Sequence, residues 1–214
     1  ASYYLALILF VILVFGVIMF IARVPMRQFV RAVREPATIA FATTSSESAM
    51  PKAMQAMERL GVPKRIVGFV MPTGYSFNLD GSMMYCTFAT LFIAQAYGIE
   101  LSLGTQFTML AILMLTSKGM AGVPRASLVV IAATLNQFNI PEAGLLLILG
   151  VDTFLDMGRS AMNLIGNCLA TAVIARWEGE FDDERARIFG TAKEAKLDLQ
   201  EGDVAAAESA QRGE

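Results

Sequence analysis

Five polar side chains in an otherwise apolar run carry the chemistry of this 214-residue chain: Asp152, Asp156, Arg159, Asn163 and Asn167. They fall within the stretch from Gly144 to Ala175, at spacings of four, three, four and four. At about 3.6 residues per turn, that spacing predicts a single stripe along one helix. Two carboxylates and a guanidinium in an apolar helix of membrane length cost at least ~2.5–3.5 kcal/mol each. Charges kept against that cost face the inside of a bundle and serve a substrate or ion path. A structural Asp156–Arg159 ion pair, gluing helices together, would account for two of the five. It leaves Asn163 and Asn167 unexplained, whereas amides that coordinate ions and bind carboxylates suit a ligand site.

The composition says what kind of body must hold the stripe. With 55% hydrophobic and 17% charged residues and a mean hydropathy of +0.54, the chain is too apolar for an ordinary soluble domain. It reads as an all-α integral membrane protein. His is absent, which excludes His-based metal and triad chemistry, and no transition-metal site is expected. Cys86 and Cys168 lie in apolar segments and suit core packing. The net charge of −2 is split: from Glu178 onward there are eleven acidic and five basic residues, so the body is positive and the tail negative. The tail reads as a partly helical, mostly solvated extension, with Phe181, Ile188 and Phe189 as anchors near its start. No basic surface for nucleic acid is visible.

Taken in order, residues 1–24 form a transmembrane helix, since Ala1 to Ala22 is uncharged and long enough to span. It starts without an initiator Met, which suggests a fragment or a processed chain. Arg23, Arg27, Arg31 and Arg34 follow and mark a cytoplasmic edge. Residues 25–62 read as a hairpin entering from that side, broken at the hydroxyl-rich run from Thr43 to Pro51, with neither arm long enough to span. An ordinary cytoplasmic helix-loop-helix is the plainer alternative. Residues 63–99 form a second long apolar run, interrupted from Pro72 to Ser82 by Pro, Gly, Asn and Asp. Unwound backbone at membrane depth is tolerated only where it is buried in protein or lines a cavity. Residues 100–141 give two short apolar arms around a Gly- and Pro-rich tip, a second re-entrant hairpin from the outer side. Residues 142–177 are the polar-striped span, and residues 178–214 the acidic cytoplasmic tail. Two hairpins from opposite sides, each preceding a span with an intramembrane charge, have the pattern of an inverted repeat.

Four motifs in this layout are similar to one family. They are the Ser45-Ser46-Glu47-Ser48 tip, Asn78-Leu79-Asp80-Gly81-Ser82, Gly119-Met120-Ala121-Gly122-Val123-Pro124, and Asp156-Met157-Gly158-Arg159-Ser160-Ala161-Met162-Asn163. Together they resemble the C-terminal half of the dicarboxylate/amino acid:cation symporters, the glutamate transporter family, over Ala1 to roughly Trp177. The resemblance implies the transport-core half of an elevator-type secondary transporter in the bacterial inner membrane, homotrimeric when full length, with no enzymatic activity and no cofactor beyond the coupling ion. It implies that Arg159 holds the substrate side-chain carboxylate, Asp156 the ammonium, and Asn163 the main-chain carboxylate with help from the tip around Ser46. Ser82, Ser160 and Val123 would complete the pocket. Gly74, Ser76, Asn78, Asp80, Asn163, Asn167, Ser117, Lys118 and Met120 would match the cation sites for H+ or Na+.

The chain departs from the family pattern at several points. Sodium-dependent members carry an acidic residue where this chain has Asn167, and Met where it has Leu79. Arg125 stands where a small residue is expected, beside the outer tip, and the sequence offers no account of it. The expected function is symport of glutamate or aspartate with H+ or Na+, with a C4-dicarboxylate carrier (succinate, fumarate, malate) as the alternative. Asp156 separates the two, because a substrate without an amino group has no use for a carboxylate there. An intramembrane aspartyl protease using Asp80 and Asp156 is opposed by Arg159, which would keep Asp156 ionised. A non-transporting membrane remnant is the other alternative.

Overall fold

The computed structural model describes residues 2–117, 125–191 and 193–194. All regular structure among these residues is helical. The helices α1 (Ser2–Phe10) and α2 (Gly16–Ile21) are joined by a π-helical turn, Val11–Phe15, into one rod. This rod, Ser2–Ile21, is the one helix among the described residues long and apolar enough to cross a membrane. Its inward residues recur every four positions, at Tyr3, Leu7, Phe15 and Met19. A four-residue spacing drifts around a helix of 3.6 residues per turn, and the wider π turn takes up part of that drift.

The next unit is α3 (Met26–Thr43) packed on α4 (Ser46–Arg59). The break between them is shorter than the sequence suggests. It covers only Thr44, which is left-handed at φ 52°, and Ser45, whose hydroxyl caps α4 by accepting from the Ser48 amide at 3.3 Å. Pro51 is carried inside α4 at the loss of one ladder hydrogen bond. The same holds for the second interruption. Helix α5 (Lys64–Phe77) runs through Pro72 and Gly74, and α6 (Asp80–Ala96) already includes Gly81 and Ser82. Only Asn78 and Leu79 leave helical geometry, at φ/ψ of −117°/76° and −116°/60°.

Helices α7 (Leu103–Thr116) and α8 (Ala126–Gln137) pack on each other and on α6. The last apolar run is not continuous. A 3-10 turn, Glu142–Leu145, and α9 (Leu146–Leu149) end at Gly150, and α10 (Asp152–Trp177) starts afresh with Asp152 in its first turn. A carboxylate there is favoured by the helix dipole.

Helix α10 is the core of the molecule and contacts α3, α4, α5 and α6. Glycines make the approach to α5 and α6 possible. A Cβ on Gly74 would strike the Asn167 side chain, one on Gly81 would stand 2.8 Å from Met162 Cβ, and one on Gly166 2.6 Å from Asp80 Oδ2. Helix α10 thereby meets the broken segment at backbone distance, which sets Asn78, Asp80 and Ser82 against the polar stripe.

The first part of the tail is packed rather than solvated. Helix α11 (Asp183–Ile188) is capped by Asp182, which accepts from the Arg185 amide at 2.9 Å. Phe181, Phe189 and Glu194 are buried. Arg65 donates to Glu180 at 3.0 Å, the Asp182 amide to the Gly61 carbonyl at 2.9 Å, and Arg59 Nε to Glu194 at 3.0 Å. Arg176 lies 4.0 Å over the Phe181 ring and grips Asp183 through both terminal nitrogens, at 2.9 and 2.6 Å. That grip holds the Asp183 carboxyl below its ordinary value. A lowered pKa stabilises the docked form above the usual carboxylate range, about 4, and the contribution is lost as pH falls through the lowered value. Hydrogen-exchange protection factors across residues 180–191, referred to the intrinsic exchange rate at each pH, are expected to fall below about pH 4. Protection unchanged down to pH 2 would show that the apolar anchors alone hold the segment.

Candidate functional site

The stripe residues are buried as the spacing predicts. Asp152, Asp156, Arg159, Asn163 and Asn167 are each 0–1% exposed on α10. Arg159 Nε donates to Asp156 Oδ1, one turn away, and Arg159 Nη1 donates to Ser82 Oγ at 3.2 Å. Asn163 binds Ser82 twice: its Nδ2 donates to the Ser82 hydroxyl at 2.8 Å, and its Oδ1 accepts from the Ser82 amide at 3.2 Å. The first turn of α6 is thus tied to the middle of α10 through one serine. A buried ion pair repays its desolvation only where further hydrogen bonds complete it, and Ser82 supplies one here.

A second set of partners comes from outside the predicted site. Tyr85, three residues after Ser82 and on the same face of α6, donates its hydroxyl to Asp152 Oδ1. Arg125 places Nε 3.5 Å from Asp152 Oδ2, and its amide donates to Asp156 Oδ2 at 3.0 Å. The Tyr3 ring stands 5.9 Å from that of Tyr85, with its own hydroxyl buried and without a hydrogen-bond partner among the described residues. The tyrosine in a turn-spaced position after Ser82 was the available signal. The Arg125 contacts span 27 and 31 residues along the chain and leave no local trace.

At the other end of the stripe, Asn78 Nδ2 donates to Asn167 Oδ1 at 3.2 Å, against Gly74. Asn78, Asp80 and Gly166 line one wall of a groove of about 450 Å³ whose other walls include Phe10, Phe15 and Trp177. The geometry therefore has a charged centre of Asp156, Arg159, Ser82 and Asn163, and an amide and carboxylate centre of Asn78, Asn167 and Asp80.

The sequence model described as "Sodium:dicarboxylate symporter family" matches residues 1–177. The chain belongs to the sodium:dicarboxylate symporter family. It is 47% identical over 183 residues to a proton/sodium-glutamate symport protein of Bacillus subtilis, covering 86% of this chain and 43% of that protein. It is 45% identical over 184 residues to a proton/glutamate-aspartate symporter of Escherichia coli, covering 86% and 42%. A C4-dicarboxylate transport protein of Bacillus subtilis is 45% identical over 186 residues, covering 86% and 44%. The chain spans less than half the length of these relatives. The family is one of transporters, not enzymes. The matched region ends at Trp177, so α11 lies beyond it.

Within this family member, the remaining predicted contact residues fall into three groups. Ser46 and Ser160 are buried with hydroxyls that have no hydrogen-bond partner among the described residues, and Asn167 Nδ2 is in the same condition. The Ser46 carbonyl accepts from the Tyr75 hydroxyl at 2.9 Å, which ties the tip of α4 to α5. Buried polar groups left unmet are uncommon and cost about 1–3 kcal/mol each, and the three on Ser46, Ser160 and Asn167 are atoms that a ligand's polar groups could meet. Ser117 and Ser76 are less informative. The Ser117 hydroxyl contacts Met83 Sδ at 2.9 Å, beside the first turn of α6. Ser76 is half-buried without a side-chain hydrogen bond among the described residues. Lys118, Met120 and Val123 lie outside the described residues.

Proposed function

We propose that this chain is the transport-core half of an elevator-type symporter for glutamate and aspartate, coupled to protons or sodium. The carrying observation is the fully buried Asp156–Arg159 pair completed by Ser82 and Asn163. A guanidinium has five N–H donors in a planar fork, so Arg159 can hold a carboxylate bidentately while keeping Asp156 in place. A carboxylate has about four lone-pair sites, and two on Asp156 are in use, which leaves room for a substrate ammonium. Asn163, Ser46, Ser82 and Ser160 supply the polar atoms for the main-chain carboxylate. Gly74, Asn78, Asp80 and Asn167 supply oxygens suited to a hard cation.

In this reading α3–α4 and α7–α8 are re-entrant hairpins from the cytoplasmic and outer sides, and α5–α6 is one broken span. The carrier sits in the bacterial inner membrane with the tail cytoplasmic and works as a homotrimer. The names of the glutamate relatives support the substrate, and the shared motifs support the arrangement. The second reading, a C4-dicarboxylate carrier, is supported by relatives of that name at the same level of identity.

Asp156→Ser separates the two in the transport-competent protein that carries this chain. Loss of a charge-assisted hydrogen bond of about 1.5–3 kcal/mol should weaken aspartate by about 10- to 150-fold, and succinate far less. Equal loss for both would make Asp156 structural and favour the dicarboxylate reading.

A further inference from the structure

Among the described residues, Arg125 is the one exposed cation whose main chain and side chain both reach into the charged centre, and its backbone is in a conformation that suits glycine. Its φ of 62° is left-handed, which L side chains adopt at a cost. That conformation aims the Arg125 amide at Asp156 Oδ2 and brings Nε to within ion-pair range of Asp152 Oδ2. Asp152 Oδ2 is otherwise a buried oxygen with no hydrogen bond among the described residues. The Arg125 side chain is 62% exposed, while both carboxylates are buried. It therefore stands at the rim of the centre.

We infer that Arg125 is a specificity-determining residue that admits acidic substrates without an amino group. The inference rests on the acidic-substrate reading above. Both oxygens of Asp156 already have protein donors, from Arg159 and from the Arg125 amide, before any ligand arrives. Among the described residues the local charges balance, with Asp152 and Asp156 against Arg159 and Arg125. A substrate bearing an ammonium adds a further partner to Asp156. A dicarboxylate brings no cation of its own, so it depends more heavily on the positive charge that Arg125 adds at the rim. Removing the Arg125 guanidinium takes one positive charge from the centre. A dianion is then disfavoured more strongly than a substrate whose ammonium offsets one of its carboxylates. Selectivity is a difference between two affinities, and this residue acts more strongly on one of them.

The test uses Arg125→Gly, which suits the left-handed backbone, keeps the amide donor and removes the side chain with its guanidinium. Competition by succinate and by aspartate against labelled aspartate is measured in the transport-competent protein, alongside the thermal midpoint of each variant. Succinate should lose about two- to fivefold relative to aspartate, the screened worth of one rim charge, and Arg125→Lys should restore most of the ratio. An unchanged succinate-to-aspartate ratio in a folded Arg125→Gly protein overturns the inference and leaves the substrate reading standing. If Arg125→Gly does not fold, the ratio in Arg125→Gln decides in the same way. A wild-type protein that takes neither compound overturns the substrate reading, and this inference with it.

Discussion

Replacing Arg159 with alanine should abolish measurable uptake of aspartate, glutamate and succinate alike, a loss of at least about a hundredfold in affinity. The guanidinium is fully buried and holds Asp156 and Ser82 at once. Truncating one member of a buried ion pair costs about 3–5 kcal/mol, because the other charge stays behind without its partner. Among the described residues Asp156 would keep only the Arg125 amide, and the substrate carboxylate would lose the one fully buried cation on α10. Lysine is a poor replacement, since a point charge cannot reproduce a planar fork. The fold is tested separately with the Arg159→Ala, Asp156→Ala double variant, which leaves no unmatched charge. It should recover most of the thermal stability lost by Arg159→Ala and none of the binding. An Arg159→Ala protein with native affinity for acidic substrates would remove the residue from the site.

Uptake into vesicles should follow an inward proton gradient, with weak or no dependence on sodium. A carboxylate in a low-dielectric site is neutralised by a bound cation or by a proton. Asp80 is the carboxylate beside the Asn78–Asn167 pair, and position 167 contributes an amide where a second carboxylate would help hold sodium. Asn167→Asp is close to isosteric. It keeps the oxygen that accepts from Asn78 and replaces a buried nitrogen that has no partner among the described residues. Two neighbouring carboxylates repel unless a cation lies between them, so the variant should gain sodium dependence. Uptake is followed against external sodium at fixed pH, and then against pH at zero sodium. Wild-type uptake that vanishes without sodium and ignores the proton gradient would sink this expectation, and Asn167 would then be a tolerated member of a sodium site.

The polar stripe was legible because a 3.6-residue period is a local property. Charges at four- and three-residue spacing in an apolar run have one low-cost arrangement, and all of them are buried as expected. Breaks were harder to place. Pro51 and Pro72 read as helix ends, yet both are helical, because one missing ladder bond costs less than unwinding a packed turn. What stops the helices is Thr44 in a left-handed turn and the non-helical Asn78–Leu79 pair, neither marked by proline. The site was legible where motif residues lie on α10 or next to it. Asp152 lies on the stripe and Arg125 stands out beside the outer tip, but the contacts that join them to each other and to Tyr85 were not legible, because they depend on how separate helices pack. The docked start of the tail was missed for a related reason. Its acidic residues suggested solvation, but Arg59 and Arg65 are distant basic partners that no local window displays; Arg176, seven residues from Asp183, is the one near partner.

Those contacts also bear on how the molecule is made. Glu194 pairs with Arg59 across 135 residues, the Phe189 carbonyl with Arg31 across 158, and Glu180 with Arg65 across 115. Every one of these partners leaves the ribosome long before the segment that covers it. Chains fold broadly from the N-terminus as they are synthesised, so α3, α4 and α5 must assemble with those arginines uncovered. The α11 segment can close over them only after it has itself been made, and a chain terminated at Trp177 would leave those arginines without their partners from the tail.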